Sequence, residues 1–151
     1  MLNIFVFLFL SLLGLSGCSL KLNRTVNDAP IIRVSHDGKI NSMDLESYVA
    51  SVLAGEVHSS WPEEALKAQA IAARTFALLR MKERKDQAFH VQNSVVDQVY
   101  KENASASLKQ ATRATFGLVL TYGNSLAETS FHSTCGGKTT NSENVWGRSY
   151  E

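Results

Sequence analysis

The chain has 151 residues, of which 44% are hydrophobic and 19% charged, with 15 Lys and Arg against 14 Asp and Glu. A formal net charge of +1 argues against a nucleic-acid-binding protein, because such proteins carry a strongly basic surface. Two cysteines exclude a disulfide framework, and the composition is that of one globular domain with an appendage.

The appendage is the amino-terminal segment, whose first twenty residues carry no charged side chain. Residues 4–13 are almost wholly apolar, which is about half the length of a membrane-spanning helix and typical of a secretory signal. The sequence Leu-Ser-Gly-Cys ending at Cys18 resembles the lipobox, at which bacterial signal peptidase cuts before a cysteine that becomes lipidated. We therefore predict a signal peptide over residues 1–17, a lipidated cysteine with a polar tether over residues 18–30, and a folded domain over residues 31–151. The alternative is a buried amino-terminal helix.

A lipid on Cys18 would prevent this residue from pairing with Cys135, so the domain would contain one free thiol. The mature protein would be a membrane-anchored lipoprotein outside the cytoplasm, either periplasmic or on the cell surface.

The domain is predicted to begin with a hairpin and a helix. Residues 31–34 are rich in β-forming side chains, and Asp37-Gly38 favours a hairpin turn. A helix is expected to begin near Ser42 or Asp44, because the following residues repeat at spacings of four, three and four. This stripe consists of Leu45, Val49, Val52 and Glu56.

A longer second helix follows. Ser60-Trp61-Pro62-Glu63 matches a capping box with proline in the first turn. We predict an apolar stripe made of Trp61, Ala65, Ala68, Ala72, Phe76 and Leu79. The flank beside it carries only small side chains at Ala70, Ala73 and Ala77, so another backbone can approach closely. This pattern indicates a buried central helix.

The rest of the chain predicts one more helix and one more hairpin. Residues 82–98 show no usable period, so their structure stays open. Asn103 or Ser105 can cap a third helix that ends before Gly117, and a second hairpin turns at Gly123-Asn124. Helices and hairpins are mixed, without the repeated βαβ units of a parallel sheet. We therefore predict an α+β fold with an Ala-rich central helix, further helices and short antiparallel hairpins.

Glu56 is the most informative candidate for chemistry. Its stripe points a carboxyl group along an apolar face, and both desolvation and the negative end of the helix dipole favour the protonated form there. A protonated carboxyl can deliver a proton near neutral pH. The alternative is a solvated glutamate at a fraying helix end.

Arg74 is the second candidate, because its helical neighbours three and four residues away are apolar. A guanidinium in such surroundings needs a carboxylate, carbonyl groups or a ligand. A structural ion pair, or a side chain that reaches solvent, is the alternative interpretation. Gln69 lies on a neighbouring face and is either a solvated helix residue or a ligand.

Residues 131–139 place a histidine, hydroxyl groups, a thiol and a lysine around a Gly-Gly turn. A nucleophilic pair of His132 and Cys135 is disfavoured, because residues three apart on a strand point to opposite faces. Zinc needs three or four ligands, and this segment supplies two. A polar rim that hydrogen-bonds a ligand is the least demanding interpretation, and a buried thiol in a turn without function is the alternative.

Together these segments resemble the SpoIID/LytB family. The longest match contains Ala-Leu-Lys-Ala-Gln-Ala followed by Ala-Ala-Arg-Thr, within residues 61–77. Further matches follow the family's order over residues 45–49, 53–57, 97–100, 114–120, 131–139 and 145–146.

The resemblance implies a function at the bacterial cell wall. The family's founding member is a lytic transglycosylase that acts on glycan strands stripped of their peptides, and LytB-type members are described as enhancers of a cell-wall amidase. We therefore expect a lytic transglycosylase that leaves 1,6-anhydro-N-acetylmuramic acid ends. The alternative is a non-catalytic glycan-binding lipoprotein or an amidase enhancer. The expected partners are peptidoglycan glycan strands, a membrane through Cys18 and a cell-wall amidase, with no cofactor.

The resemblance also assigns residues. The family's catalytic glutamate matches Glu56, and an arginine needed for activity matches Arg74. By the same comparison the expected substrate-binding residues are Gln69, Gln98, Tyr100, His132, Ser133 and Lys138. Some relatives bind zinc through extra Cys and His residues, but a second downstream Cys is missing here, so no metal is expected. The family domain commonly continues beyond residue 146, so we expect a carboxy-terminally shortened member.

Overall fold

The computed structural model describes residues 29–131, 140 and 142–147, and its architecture is α+β, as predicted. The predicted signal peptide and Cys18 lie outside the described residues. In chain order the elements are β1 (Ile31–His36), β2 (Lys39–Asp44), α1 (Leu45–Glu56), α2 (Glu63–Glu83), β3 (Val91–Gln92), α3 (Ala106–Ala114), β4 (Thr121–Tyr122), β5 (Ser125–Leu126) and α4 (Ser142–Trp146). None of the helices in these ranges combines the length and the apolar character needed to cross a bilayer.

The first hairpin forms one side of a three-stranded sheet with the order β2-β1-β3. Its turn residues Asp37 and Gly38 both have positive φ, at 48° and 74°, which gives the turn type whose twist suits a two-residue hairpin. On the other side β3 pairs in parallel with β1, with Val91 opposite Val34. The predicted hairpin is confirmed, and β3 lies within residues 82–98, for which no structure was predicted.

Helix α1 begins where the sequence predicts. The Asp44 side chain accepts a hydrogen bond from the Ser47 backbone N–H at 2.9 Å, which satisfies one of the free donors of the first turn. The predicted stripe is confirmed, because Leu45, Val49 and Val52 are buried and Glu56 continues the same line to the last turn.

Helix α2 differs from its prediction at both its start and its face. Pro62 is the N-cap residue and makes no side-chain cap, while the Ser60 hydroxyl pairs with His58 at 2.9 Å, so the predicted capping box is wrong. The predicted stripe is wrong at Trp61 and Ala68, which are exposed, and right at Phe76, which is buried. The buried residues of α2 include the whole predicted small-residue flank; they are Leu66, Ala70, Ala73, Arg74, Thr75, Phe76 and Ala77.

Helices α1, α2 and α3 pack against one another, and α1 and α2 also contact the three-stranded sheet. Helix α3 has Ser105 as its N-cap residue, as predicted, and Gly117 has a φ of 71° two residues after the C-cap position. The second hairpin is confirmed, although β4 and β5 contribute only two residues each. The small side chains of α2 allow this close helix packing, which brings the end of α1 near the loop that follows β3.

His90, at the entry to β3, makes the stability of this fold dependent on pH. The residue is 5% exposed, and its Nδ1 accepts the Arg33 backbone N–H at 3.1 Å. Burial, together with the charge of Arg33, lowers the pKa of His90 below its ordinary 6.5. The unfolded chain therefore binds this proton more readily, so the contribution to stability is complete above about pH 6.5 and is lost as the pH falls below it.

We expect the free energy of unfolding, measured by urea denaturation, to fall between about pH 7.5 and about pH 5.5. The fall should be smaller in His90→Asn, whose side-chain oxygen can still accept the Arg33 N–H but does not titrate. Identical pH slopes for the two proteins would show that His90 does not contribute.

Candidate functional site

A groove of about 430 Å³ lies beside the last turn of α1. Its walls come from α2, from the loop after β3 and from the segment after β5. Glu56 lines this groove, and its other lining side chains include Phe76, Arg80, Val96, Glu128 and Phe131. The stripe that predicts Glu56 as a candidate acid therefore ends at a concave surface, as a substrate-binding group requires.

Glu56 is held at this place by one backbone donor. The Val99 N–H donates to Glu56 Oε1 at 3.0 Å, and the Glu56 side chain is partly buried. The preceding Gly55 permits this contact, because a Cβ at position 55 would overlap the carbonyl oxygen of Val99. No group within residues 29–131, 140 and 142–147 donates to Glu56 Oε2. One carboxyl oxygen is thus fixed, and the other is available for a ligand.

Arg80 and Glu128 form an ion pair across the groove, with Nη2 and Oε1 2.7 Å apart. The guanidinium carbon lies 4.4 Å from the centre of the Phe76 ring, and Glu83 provides a second carboxylate at 2.6 Å. Burial alone would lower the pKa of Arg80, but the hydrogen bonds and charges of Glu83 and Glu128 outweigh it and raise the pKa. Arg80 therefore stays charged and neutralises Glu128.

Asp97 is the third carboxylate of the groove, and its side chain is only 3% exposed. Arg84 donates to it in a bidentate manner, at 2.7 and 3.0 Å. The Gln92 backbone N–H donates to the same carboxylate at 2.8 Å. Among the groove carboxylates that the structure describes, Glu56 is therefore the one without a cationic partner.

Arg74 lies in a different part of the molecule. It is fully buried, and its Nε and Nη2 donate to the two carboxylate oxygens of Glu46 at 2.8 and 2.6 Å. The same guanidinium donates to the carbonyl groups of Leu118 and Thr112, both at 3.2 Å. Glu46 and Glu56 are ten residues apart on α1, which corresponds to about 15 Å along the helix axis.

The structure therefore does not bring the two expected catalytic residues together. Arg74 borders a second cavity, of about 560 Å³, that Glu56 does not line. The interpretation of Arg74 as a structural ion pair, left open by the sequence, matches its contacts. The catalytic role that the resemblance assigns to Arg74 stays a prediction.

Gln98 and Tyr100 occupy core positions, and neither side chain lines the groove beside Glu56. Gln98 is 1% exposed; its Oε1 accepts the Tyr48 hydroxyl at 3.1 Å and its Nε2 donates to the Ala73 carbonyl at 3.3 Å. Tyr100 is also buried, with its ring edge-on to the Tyr48 ring. The substrate-binding roles that the resemblance assigns to Gln98 and Tyr100 stay predictions.

Gln69 is partly buried on α2, and its Nε2 is a buried donor without a partner in the described part of the chain. His132, Ser133, Lys138 and Cys135 lie outside the described residues, so their expected roles stay predictions. Phe131, the first residue of their motif, lines the groove. In the described ranges no three His, Cys, Asp or Glu side chains cluster in a way that could hold a metal ion.

The sequence did not predict that Phe76, Arg80 and Glu128 line the groove. A signal for the first pair exists, because an aromatic residue and an arginine four positions apart on a helix are neighbours on its surface. Glu128 has no comparable local signal, since its partner is 48 residues away in the chain.

Comparison with known proteins gives a consistent group of relatives. The family model SpoIID, described as Stage II sporulation protein, matches residues 35–122. The chain is 40% identical over 111 residues to an uncharacterised protein of Brachyspira hyodysenteriae, covering 72% of this chain and 30% of that protein. It is 37% identical over 135 residues to Stage II sporulation protein D of Bacillus subtilis, covering 78% and 39%.

A third relative is the amidase enhancer of Bacillus subtilis, 34% identical over 99 residues, which cover 65% of this chain and 13% of that protein. The chain thus spans less than half the length of the curated relatives that it matches.

Proposed function

The chain belongs to the SpoIID family, and from this premise we propose that it is a peptidoglycan lytic transglycosylase. The proposed substrate is a glycan strand stripped of its peptides. The bond that breaks joins N-acetylmuramic acid to N-acetylglucosamine, and the product carries a 1,6-anhydro-N-acetylmuramic acid end. The names of two relatives, a sporulation protein and an amidase enhancer, support a role at the cell wall.

The observation that carries the proposal is the unpaired Glu56 in a groove whose other carboxylates are paired. A glycoside hydrolase ordinarily uses two carboxyl groups, one as acid and the other as base or nucleophile. Here Asp97 and Glu128 are bound to Arg84 and Arg80, which makes them poor candidates for a second reacting group. A lytic transglycosylase needs only one acid, because the substrate supplies its own nucleophile.

In the proposed reaction Glu56 serves first as acid and then as base. Glu56 gives its proton to the glycosidic oxygen, and the bond between that oxygen and the muramyl anomeric carbon breaks. The carboxylate then takes the proton of the muramyl C6 hydroxyl while the C6 oxygen bonds to the anomeric carbon. Glu56 ends in its starting protonation state, and no water is consumed.

The rim of the groove also suits a sugar ligand. Val95 and Val96 are 94% and 75% exposed at the edge of the groove and offer apolar surface to sugar-ring faces and acetamido methyl groups. The loop that carries them is held by the Ser94 side chain, which accepts the Val96 N–H at 3.3 Å, and by Asp97. An ordered apolar rim beside an acidic group is a reasonable platform for an uncharged part of a glycan.

The test is incubation of the full chain with purified glycan strands from which an amidase has removed the peptides, followed by mass spectrometry. We expect products with 1,6-anhydro ends, which have the mass of the reducing-end product minus one water. Reducing ends alone would indicate a hydrolase. No product, with glycan binding retained in a pull-down, would contradict the enzymatic proposal.

A binding protein or amidase enhancer is the second candidate, favoured by the similarity to the amidase enhancer of Bacillus subtilis. This candidate predicts glycan binding without new ends and a faster reaction of a cell-wall amidase when the protein is added. The assay above separates the two candidates, because only the enzyme makes anhydro ends in the absence of an amidase.

We also propose that the protein is anchored to a membrane through acylated Cys18, outside the cytoplasm. The support is the apolar segment and the lipobox-like sequence before this residue. We expect the wild type, expressed in a bacterium, to incorporate labelled palmitate and to partition into detergent. Cys18→Ser should lose both properties, and equal labelling of the two proteins would contradict lipidation at this position.

A further inference from the structure

The loop of residues 93–100 follows β3 and lines part of the groove. It contains Val99, whose backbone N–H donates to Glu56. It starts at the end of the parallel pair with β1, where the Asn93 N–H donates to the Ser35 carbonyl at 2.8 Å. The Asn93 side chain then accepts the Tyr100 N–H at 2.8 Å, which closes the loop on itself. Immediately afterwards the Lys101 N–H donates to the Ser51 carbonyl on α1 at 3.0 Å.

Two buried side chains, those of Gln98 and Asp97, anchor this loop to the helices and the sheet. Gln98 connects it to α1 through Tyr48 and to α2 through the Ala73 carbonyl. Asp97 connects it to the end of α2 through Arg84 and to β3 through the Gln92 N–H. Val99 follows directly after these two anchors, so the direction of its N–H is set by them.

The consequence for Glu56 follows from the chemistry of a carboxyl group. A backbone N–H that donates to Oε1 stabilises this oxygen as an acceptor, so the acidic proton resides on Oε2. A fixed donor therefore decides which oxygen delivers the proton and where that oxygen lies. A misplacement of about 1 Å in such a group can cost about a hundredfold in rate.

We propose that Asp97 is a positioning residue for Glu56, acting through the Val99 N–H; this rests on the proposed transglycosylase function. The Asp97 side chain is only 3% exposed, so its proposed role is exerted through the loop and not through the substrate. It holds the loop of residues 93–100 so that Val99 fixes Oε1 of Glu56 and leaves Oε2 to exchange the proton with the glycan.

The main experiment compares the full-length wild type with Asp97→Asn, which keeps an acceptor for the Gln92 N–H but removes the negative charge that binds Arg84. The matched control is Glu63→Gln, which removes one charge from an exposed ion pair with Lys67 at the start of α2, away from the groove. We expect kcat for anhydro-end formation to fall roughly tenfold to a hundredfold in Asp97→Asn with KM within about twofold. Glu63→Gln should keep the wild-type kcat.

A second readout does not depend on turnover. The amide resonance of Val99 in the wild type should shift with pH as the carboxyl group of Glu56 gains its proton, and the shift should be absent in Glu56→Gln. In Asp97→Asn the pH-dependent shift should be clearly reduced, and in Glu63→Gln it should be retained. A wild type without turnover would contradict the proposed function, while the Val99 resonance would still decide the positioning role.

Gly55→Ala provides an independent variant, because its Cβ would push the Val99 carbonyl away from α1. It should reproduce both the reduced kcat and the reduced Val99 shift, even if Asp97→Asn does not fold. An unchanged Val99 resonance in the folded variants, or a kcat that falls only in proportion to the folded fraction, would overturn the proposal.

Discussion

Replacement of Glu56 by Gln is expected to lower the rate of anhydro-end formation by about a hundred- to ten-thousandfold, the usual contribution of a positioned acid. The amide keeps an oxygen that can accept the Val99 N–H, but it cannot give up a proton to the glycosidic oxygen. Because Glu56 has no ion pair in the described structure, the free energy of unfolding should change little. Mass spectrometry of the glycan products and urea denaturation measure the two effects on the same protein.

Glu128→Gln is the informative comparison, because it removes a carboxylate from the same groove. Glu128 is bound to Arg80, so its loss should reduce the rate far less than the loss of Glu56. If both variants were equally inactive, the reaction would require two carboxyl groups, and the single-acid mechanism would be wrong. Equal product from Glu56→Gln and the wild type would remove Glu56 from its role.

Replacement of Arg74 by Met is expected to lower the free energy of unfolding by about 3–5 kcal/mol, the usual cost of removing one partner from a buried ion pair. The change leaves the Glu46 carboxylate without its bidentate partner and removes a donor from two carbonyl groups. This is a large part of the total stability of a typical domain, which is about 5–15 kcal/mol. Urea denaturation gives the value directly.

The control is Lys67→Met, which breaks an ion pair on the exposed side of the same helix and should change stability little. Adding Glu46→Met to Arg74→Met should recover part of the loss, because no unpaired carboxylate then remains in the core. We expect activity to follow the folded fraction of each variant. A fully folded but inactive Arg74→Met would instead support the catalytic role that the family resemblance assigns.

The sequence predicted well those parts of the fold that depend on interactions between residues close together in the chain. The turn at Asp37-Gly38 requires two residues that accept positive φ, and both are present. The stripe of α1 repeats large apolar residues at spacings of four and three and ends at Glu56, so the burial of Leu45, Val49 and Val52 follows from helical periodicity.

The face of α2 could not be predicted in the same way. An Ala-rich helix is weakly apolar on several sides, so periodicity does not distinguish the face that packs from its flank. The choice is made by partners elsewhere in the chain, among them Glu46, which lies 28 residues from Arg74 and allows a charged residue to be buried. Gln98 is a similar case, because its burial depends on Tyr48, 50 residues away.

Only part of the site can therefore be recognised from the sequence, and the rest depends on contacts that form on folding. Glu56 can be recognised as the last residue of the α1 stripe. The anchor Asp97 lies in the stretch of residues 82–98, for which no structure was predicted, and the donor Val99 follows this stretch directly. Arg80 and Glu128 lie on predicted elements, but the ion pair that they form in the groove joins residues distant in sequence.

The short parallel pair between β1 and β3 has a consequence for the order in which the groove forms during folding. It joins segments such as Arg33 and His90, which are 57 residues apart, through only two pairs of residues. Closing so long a loop costs conformational entropy. We expect the contacts between the packed helices α1 and α2 to offset this cost. Helix α1 can therefore place Glu56 before the loop of residues 93–100 brings the Val99 N–H to it, so the groove beside Glu56 is expected to be completed late in folding.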